Sequence, residues 1–118
     1  MKYIWLLLLF FSIASSENIN LGKWDKQQLA QFLLHNSSNN NRVKNITDQF
    51  LNTPYKANTM IGSMDKKEKL VIDLENLDCF TFIDYVEAMK CSRSFDEFKT
   101  KLIKLRYQEG KIEYSSRN

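Results

Sequence analysis

Asp78-Cys79-Phe80-Thr81-Phe82 sets a thiol beside a carboxylate at the head of a run in which Cys79, Phe82, Ile83 and Val86 recur at helical spacing. Asp78 suits the N-cap of that helix. A thiol at a helix start meets unpaired backbone N–H groups and the positive end of the dipole, and both favour the nucleophilic thiolate. A base is then needed from elsewhere in the chain. Spacing alone leaves two readings open, because free cysteines are also common core residues.

Other chemistries find less support. The sequence has one histidine, His35, upstream of Cys79 and at the polar edge of an earlier helix, and it supplies no set of zinc ligands. No cofactor or metal is expected. Asp65, Glu68, Asp73 and Glu75 are spread over a loop and an extended segment and read as solvated surface rather than as a catalytic carboxylate pair. The formal charge of +3 is spread among interleaved acids and bases, which leaves no footprint for nucleic acid. Cys79 and Cys91 lie twelve residues apart, and on one helix that is roughly 18 Å, too far for a disulfide.

The elements that must position Cys79 are mostly helical. Asp25 caps a helix over Lys26 to His35 on Leu29, Phe32 and Leu33, and the polar run Asn36 to Asn41 breaks it. A second helix, Arg42 to Leu51, rests on Val43, Ile46 and Phe50, and Pro54 ends it. Leu70 to Leu74 is apolar and β-branched enough for a strand. The cysteine helix follows, and then one from Phe95 to about Arg106, with Ser94 and Glu97 spaced as a capping box. Glu109-Gly110 makes a turn. One domain is the ceiling at this length.

Several motifs occur in an order that carries a resemblance. Thr53-Pro54-Tyr55, Leu70-Val71-Ile72-Asp73-Leu74, Asp78-Cys79-Phe80-Thr81-Phe82-Ile83-Asp84, Leu105-Arg106-Tyr107-Gln108-Glu109-Gly110 and Tyr114-Ser115-Ser116-Arg117-Asn118 together resemble the DUF1460 family. These are bacterial N-acetylmuramoyl-L-alanine amidase-like proteins of the NlpC/P60 group. The resemblance implies an α+β papain-like fold, here a truncated one whose present part is mostly helical with little strand. It implies Cys79 as nucleophile, Tyr55 lining the substrate site, and Asp78 holding an amino group of the peptide stem. Peptidoglycan or a muropeptide is then the partner. Arg106 and Arg117 match motif positions and read as structural. Asp84 stands where that family usually has glutamate.

Family members continue past the Ser-Arg motif into a histidine–aromatic pair and a β-rich half, whereas this sequence stops at Asn118. The expectation is the N-terminal portion of an amidase, inactive by itself, with Phe82, Ile83 and Val86 short of partners. A secreted non-catalytic module that binds wall or protein is the alternative, and a truncated gene product without function is another. Lys2, the apolar stretch Ile4 to Ile13 and the small residues Ala14-Ser15-Ser16 read as a signal peptide over residues 1–16. Ten apolar residues fall short of the ~20 that span a bilayer. Residues 17–118 are therefore expected as an exported chain, periplasmic or extracellular, without a stable membrane anchor.

Overall fold

A computed structural model describes residues 17–118; the signal-peptide expectation for 1–16 lies outside the described residues. Strand β1 spans Glu17–Asn20, helices α1 and α2 span Lys26–Asn36 and Arg42–Asp48, strand β2 spans Leu70–Asp73, and helices α3 and α4 span Cys79–Lys90 and Phe95–Arg106. Short 3-10 turns follow at Gln108–Gly110 and Tyr114–Ser116.

β1 pairs in parallel with β2, Glu17 opposite Leu70 and Asn20 opposite Asp73. Leu70, Val71 and Ile72 are all buried, as expected of a parallel strand covered on both faces. The other edge of β2 is closed by side chains rather than by a third strand. Arg106 Nη1 donates to the Val71 carbonyl at 2.6 Å, and the Asp73 N–H donates to the Tyr85 hydroxyl at 2.9 Å. Both side chains are deeply buried, so α3 and α4 are locked to the strand by hydrogen bonds that would be costly to lose.

Each major helix begins where its cap places it. The Asp25 carboxylate accepts the Gln28 N–H and the Gln28 side chain accepts the Asp25 N–H, a complete capping box on α1. Ser94 caps α4 through the Glu97 N–H, but the Glu97 carboxylate reaches past the cap to the Arg93 N–H. The expected reciprocal box is thus displaced by one residue.

Three helical expectations are corrected. α2 ends at Asp48, well before Pro54, because the chain passes through turns closed by the Ile46, Thr47, Asp48 and Phe50 carbonyls; Val43, expected on the apolar face, is exposed. On α3 the buried positions are Thr81, Tyr85, Val86, Ala88 and Met89, while Cys79 and Ile83 face solvent. The buried stripe is rotated from the expected one because Tyr85, not Ile83, reaches β2. Val86 and Phe82 do find partners: Val86 joins the core, and Phe82 packs edge-on against Phe50 with ring centroids 5.8 Å apart.

The carboxylate expected at the surface at position 68 is instead buried. Glu68 accepts the Tyr107 hydroxyl at 2.6 Å and two Arg117 hydrogen bonds at 2.8 Å. Glu109 and Gly110 both adopt positive φ, at 55° and 67°, which makes the expected turn. That turn brings Arg117 back beside Tyr107 as an antiparallel bridge.

Candidate functional site

Cys79 is the first residue of α3, and it is exposed. Its position is set by Asp78, whose extended backbone (φ −112°, ψ −177°) lets the side chain turn back over the helix start. The Thr81 N–H donates to Asp78 Oδ1 at 2.8 Å, and the Thr81 hydroxyl accepts the Asp78 N–H at 3.0 Å. Thr81 is buried, which holds this reciprocal pair in place. Cys91, the other cysteine, caps the far end of the same helix and is also free and exposed, so the two thiols stay apart as the spacing requires.

Tyr55 reaches the same place through its backbone. The Leu77 N–H donates to the Pro54 carbonyl and the Lys56 N–H donates to the Leu77 carbonyl, both at 3.0 Å. This short parallel bridge fixes Tyr55 opposite Leu77, two residues before Cys79, and its side chain is 73% exposed. Tyr55, Asp78 and Cys79 therefore belong to one surface region. His35 does not: it lies at the end of α1 with Nδ1 2.8 Å from the Gln31 carbonyl.

On one side of the helix start lies a cleft of about 480 Å³ bounded by Asn58, Asp78, Phe80, Asp84, Tyr114 and Arg117. Phe80 presents an exposed ring there. Burial raises the Asp84 carboxyl above its ordinary value against the pull of Arg106, whose Nε lies 3.5 Å away. Asp84 was noted in the sequence only as a departure from a motif. Its place beside Asp78 at the cleft could not be read from the spacing of a helix whose exposed face was misassigned.

A smaller cleft of about 270 Å³ lies beside Pro54, walled by Lys23 and Trp24 on one side and by Gln49 to Pro54 on the other. Trp24 stacks on Phe32 (5.8 Å between centroids) and meets Phe50 edge-on at 6.4 Å, and Phe50 in turn meets Phe82 of α3. Sequence reading assigned Trp24 only to the opening of a helix. The aromatic chain that joins it to the cysteine helix depends on contacts between segments distant in sequence.

A small α-rich domain with a two-stranded parallel sheet thus carries an exposed thiol at a helix start. Residues 45–118 match the AmiA-like family, described as N-acetylmuramoyl-L-alanine amidase-like, and the chain belongs to that family. Among solved structures it is similar to an N-acetylmuramoyl-L-alanine amidase from Bacteroides uniformis, at 33% identity and a TM-score of 0.52 over 76% of this chain and 34% of that one. A second structure of that name from the same organism gives 32% identity and a TM-score of 0.53, over 72% of this chain and 34% of the other. A Bacteroides fragilis protein given provisionally as a xylanase is similar at 33% identity and a TM-score of 0.54, covering 72% and 34% of the two chains. The chain spans about a third of the length of these structures. No curated protein matches it.

Proposed function

We propose that this chain is the nucleophile-bearing portion of an exported peptidoglycan amidase of papain-like, NlpC/P60 type, with Cys79 as the nucleophile. The observation that carries the reading is the exposed Cys79 thiol at the first position of α3, held there by the Asp78–Thr81 box, in a chain of the amidase-like family. The sulfur attacks the carbonyl carbon of a wall amide, the C–N bond breaks, and the amine leaves with a proton. Water then hydrolyses the thioester. Tyr55 lines the substrate path and Asp78 holds a peptide amino group.

Proton transfer requires a base within hydrogen-bond reach of the sulfur. The sole histidine of the sequence, His35, is held on α1. The base is therefore assigned to amidase sequence beyond the third that this chain matches. Assistance of that kind contributes ~10²–10⁴-fold, so these 118 residues alone are expected to leave purified sacculi undigested.

The decisive experiment grafts this chain in place of the matching third of the Bacteroides uniformis amidase and measures release of soluble wall fragments. Digestion that falls to background in the Cys79→Ala graft is expected. Digestion that persists in that variant removes Cys79 from the mechanism. Export is tested separately by N-terminal sequencing of the protein recovered outside the cytoplasm, which should begin at Glu17.

A further inference from the structure

The cleft between Lys23–Trp24 and Gln49–Pro54 lies partly outside the residues that match the family, since Lys23 and Trp24 precede position 45. Its walls combine the aromatic surfaces of Trp24 and Phe50 with hydrogen-bonding groups from Lys23, Gln49 and Glu75. The Lys23 ammonium lies 4.9 Å from the Trp24 ring centroid and donates to the Gln49 carbonyl and side-chain oxygen at 3.2 and 3.0 Å. Glu75 is held by the Asn20 side chain at 2.8 Å. An apolar surface with a few placed polar groups is how ligand sites are generally built.

The volume narrows the choice of occupant. Sites for drug-sized ligands run from ~300 to 1,000 Å³, so about 270 Å³ suits one ring rather than an extended chain. A pyranose has C–H faces that pack on aromatic side chains and a rim of hydroxyls that exchange hydrogen bonds with amide, ammonium and carboxylate. An acylated amino group adds a carbonyl that an ammonium can donate to. The wall peptide lacks this combination in any single residue.

The cleft is also tied to the thiol. Pro54, one of its walls, accepts the Leu77 N–H at 3.0 Å, and Leu77 is two residues before Cys79, at most ~7 Å of extended chain. We propose that this cleft holds the N-acetylated sugar of the wall substrate, so that the amide nearest the sugar is the one presented to Cys79. A bond further along the stem would be displaced by about 3.5 Å for each added residue. The inference rests on the amidase reading and sharpens it, because it selects the sugar-proximal amide over amides within the peptide.

Trp24 makes the site directly readable. The sequence has two tryptophans, Trp5 and Trp24, so in the full-length Trp5→Phe protein fluorescence reports the cleft alone. Titration with the peptide-free disaccharide of N-acetylglucosamine and N-acetylmuramic acid should give a saturable change with Kd of order 1 mM, typical of a few contacts. In the Gln49→Ala/Glu75→Ala protein the apparent Kd should rise at least about tenfold, and Lys23→Ala should weaken it in the same direction, with thermal melts confirming that each variant is folded. The proposal is overturned if the disaccharide leaves Trp24 unchanged, if folded variants bind as well as the parent, or if the free stem peptide alone produces the Trp24 response. Saturable sugar binding by a protein whose graft digests walls without Cys79 would sink the nucleophile assignment while leaving the cleft in place.

Discussion

Arg117 closes on Glu68 through two hydrogen bonds of 2.8 Å, Nε to Oε2 and Nη2 to Oε1, and Tyr107 donates its hydroxyl to the same Oε2 at 2.6 Å. Glu68 is almost fully buried and Arg117 about one quarter exposed. Removing the acceptor strands a buried hydroxyl and a largely covered guanidinium, which costs about 3 kcal/mol or more when one partner of such a pair is deleted. Glu68→Ala should therefore lower the urea midpoint markedly, with the slope unchanged. A loss below about 1 kcal/mol would mean that the cluster is solvated in solution.

Gly62 fits against the same carboxylate. A methyl group built at position 62 meets the Glu68 Cα at 2.8 Å, and the backbone there has φ +137°, a conformation that side chains resist. Because the close atom belongs to backbone, Glu68 cannot swing aside without disturbing its strand-like bridge at Ile61–Lys69. Gly62→Ala is expected to destabilise by ~2 kcal/mol or more, measured by thermal melting. In the Glu68→Ala background much of the side-chain clash is gone, so the two losses should add to less than their sum.

The contrast between these residues and α3 shows what could be read from sequence. The starts of α1, α3 and α4 were legible because a cap and the first apolar turn lie within a few adjacent residues. β1 was not, since Glu17-Asn18-Ile19-Asn20 has one apolar side chain and owes its form to pairing with β2. Glu68 looked like surface because its partners, Tyr107 and Arg117, lie 39 and 49 residues further on. Of the site, the helix-start position of Cys79 was visible in the motif. The backbone bridge that brings Tyr55 to Leu77, and the aromatic chain under Trp24, were not, because each depends on segments meeting in space.

Asp78 has two separable roles, and substitution can part them. As a cap its oxygen accepts the Thr81 N–H, worth ~1 kcal/mol of stability; as a proposed anchor for a peptide amino group it needs its charge. Asp78→Asn keeps a capping oxygen and should change Tm little, while Asp78→Ala should lower stability by about 1 kcal/mol. If the charge anchors substrate, both variants of the grafted amidase should show a raised KM. A KM that rises only in the alanine variant would assign Asp78 to the cap alone.

Tyr85 and Tyr107 make the fold sensitive to alkali. Burial raises the phenol of each above its ordinary value, helped at Tyr107 by donation to Glu68 and opposed at Tyr85 by the bond from the Asp73 N–H. Below pH ~10 the phenols are protonated in both folded and unfolded chains, and the difference contributes no slope. Above it the unfolded chain releases protons that the folded chain retains, so unfolding is favoured and stability falls as pH rises. Urea midpoints measured from pH 8 to 11 should stay flat and then decline from about pH 10. Tyr107→Phe lowers stability at pH 8 through the lost hydrogen bond, yet its alkaline decline should be shallower than the parent's. An equal or steeper decline would place the titrating group elsewhere.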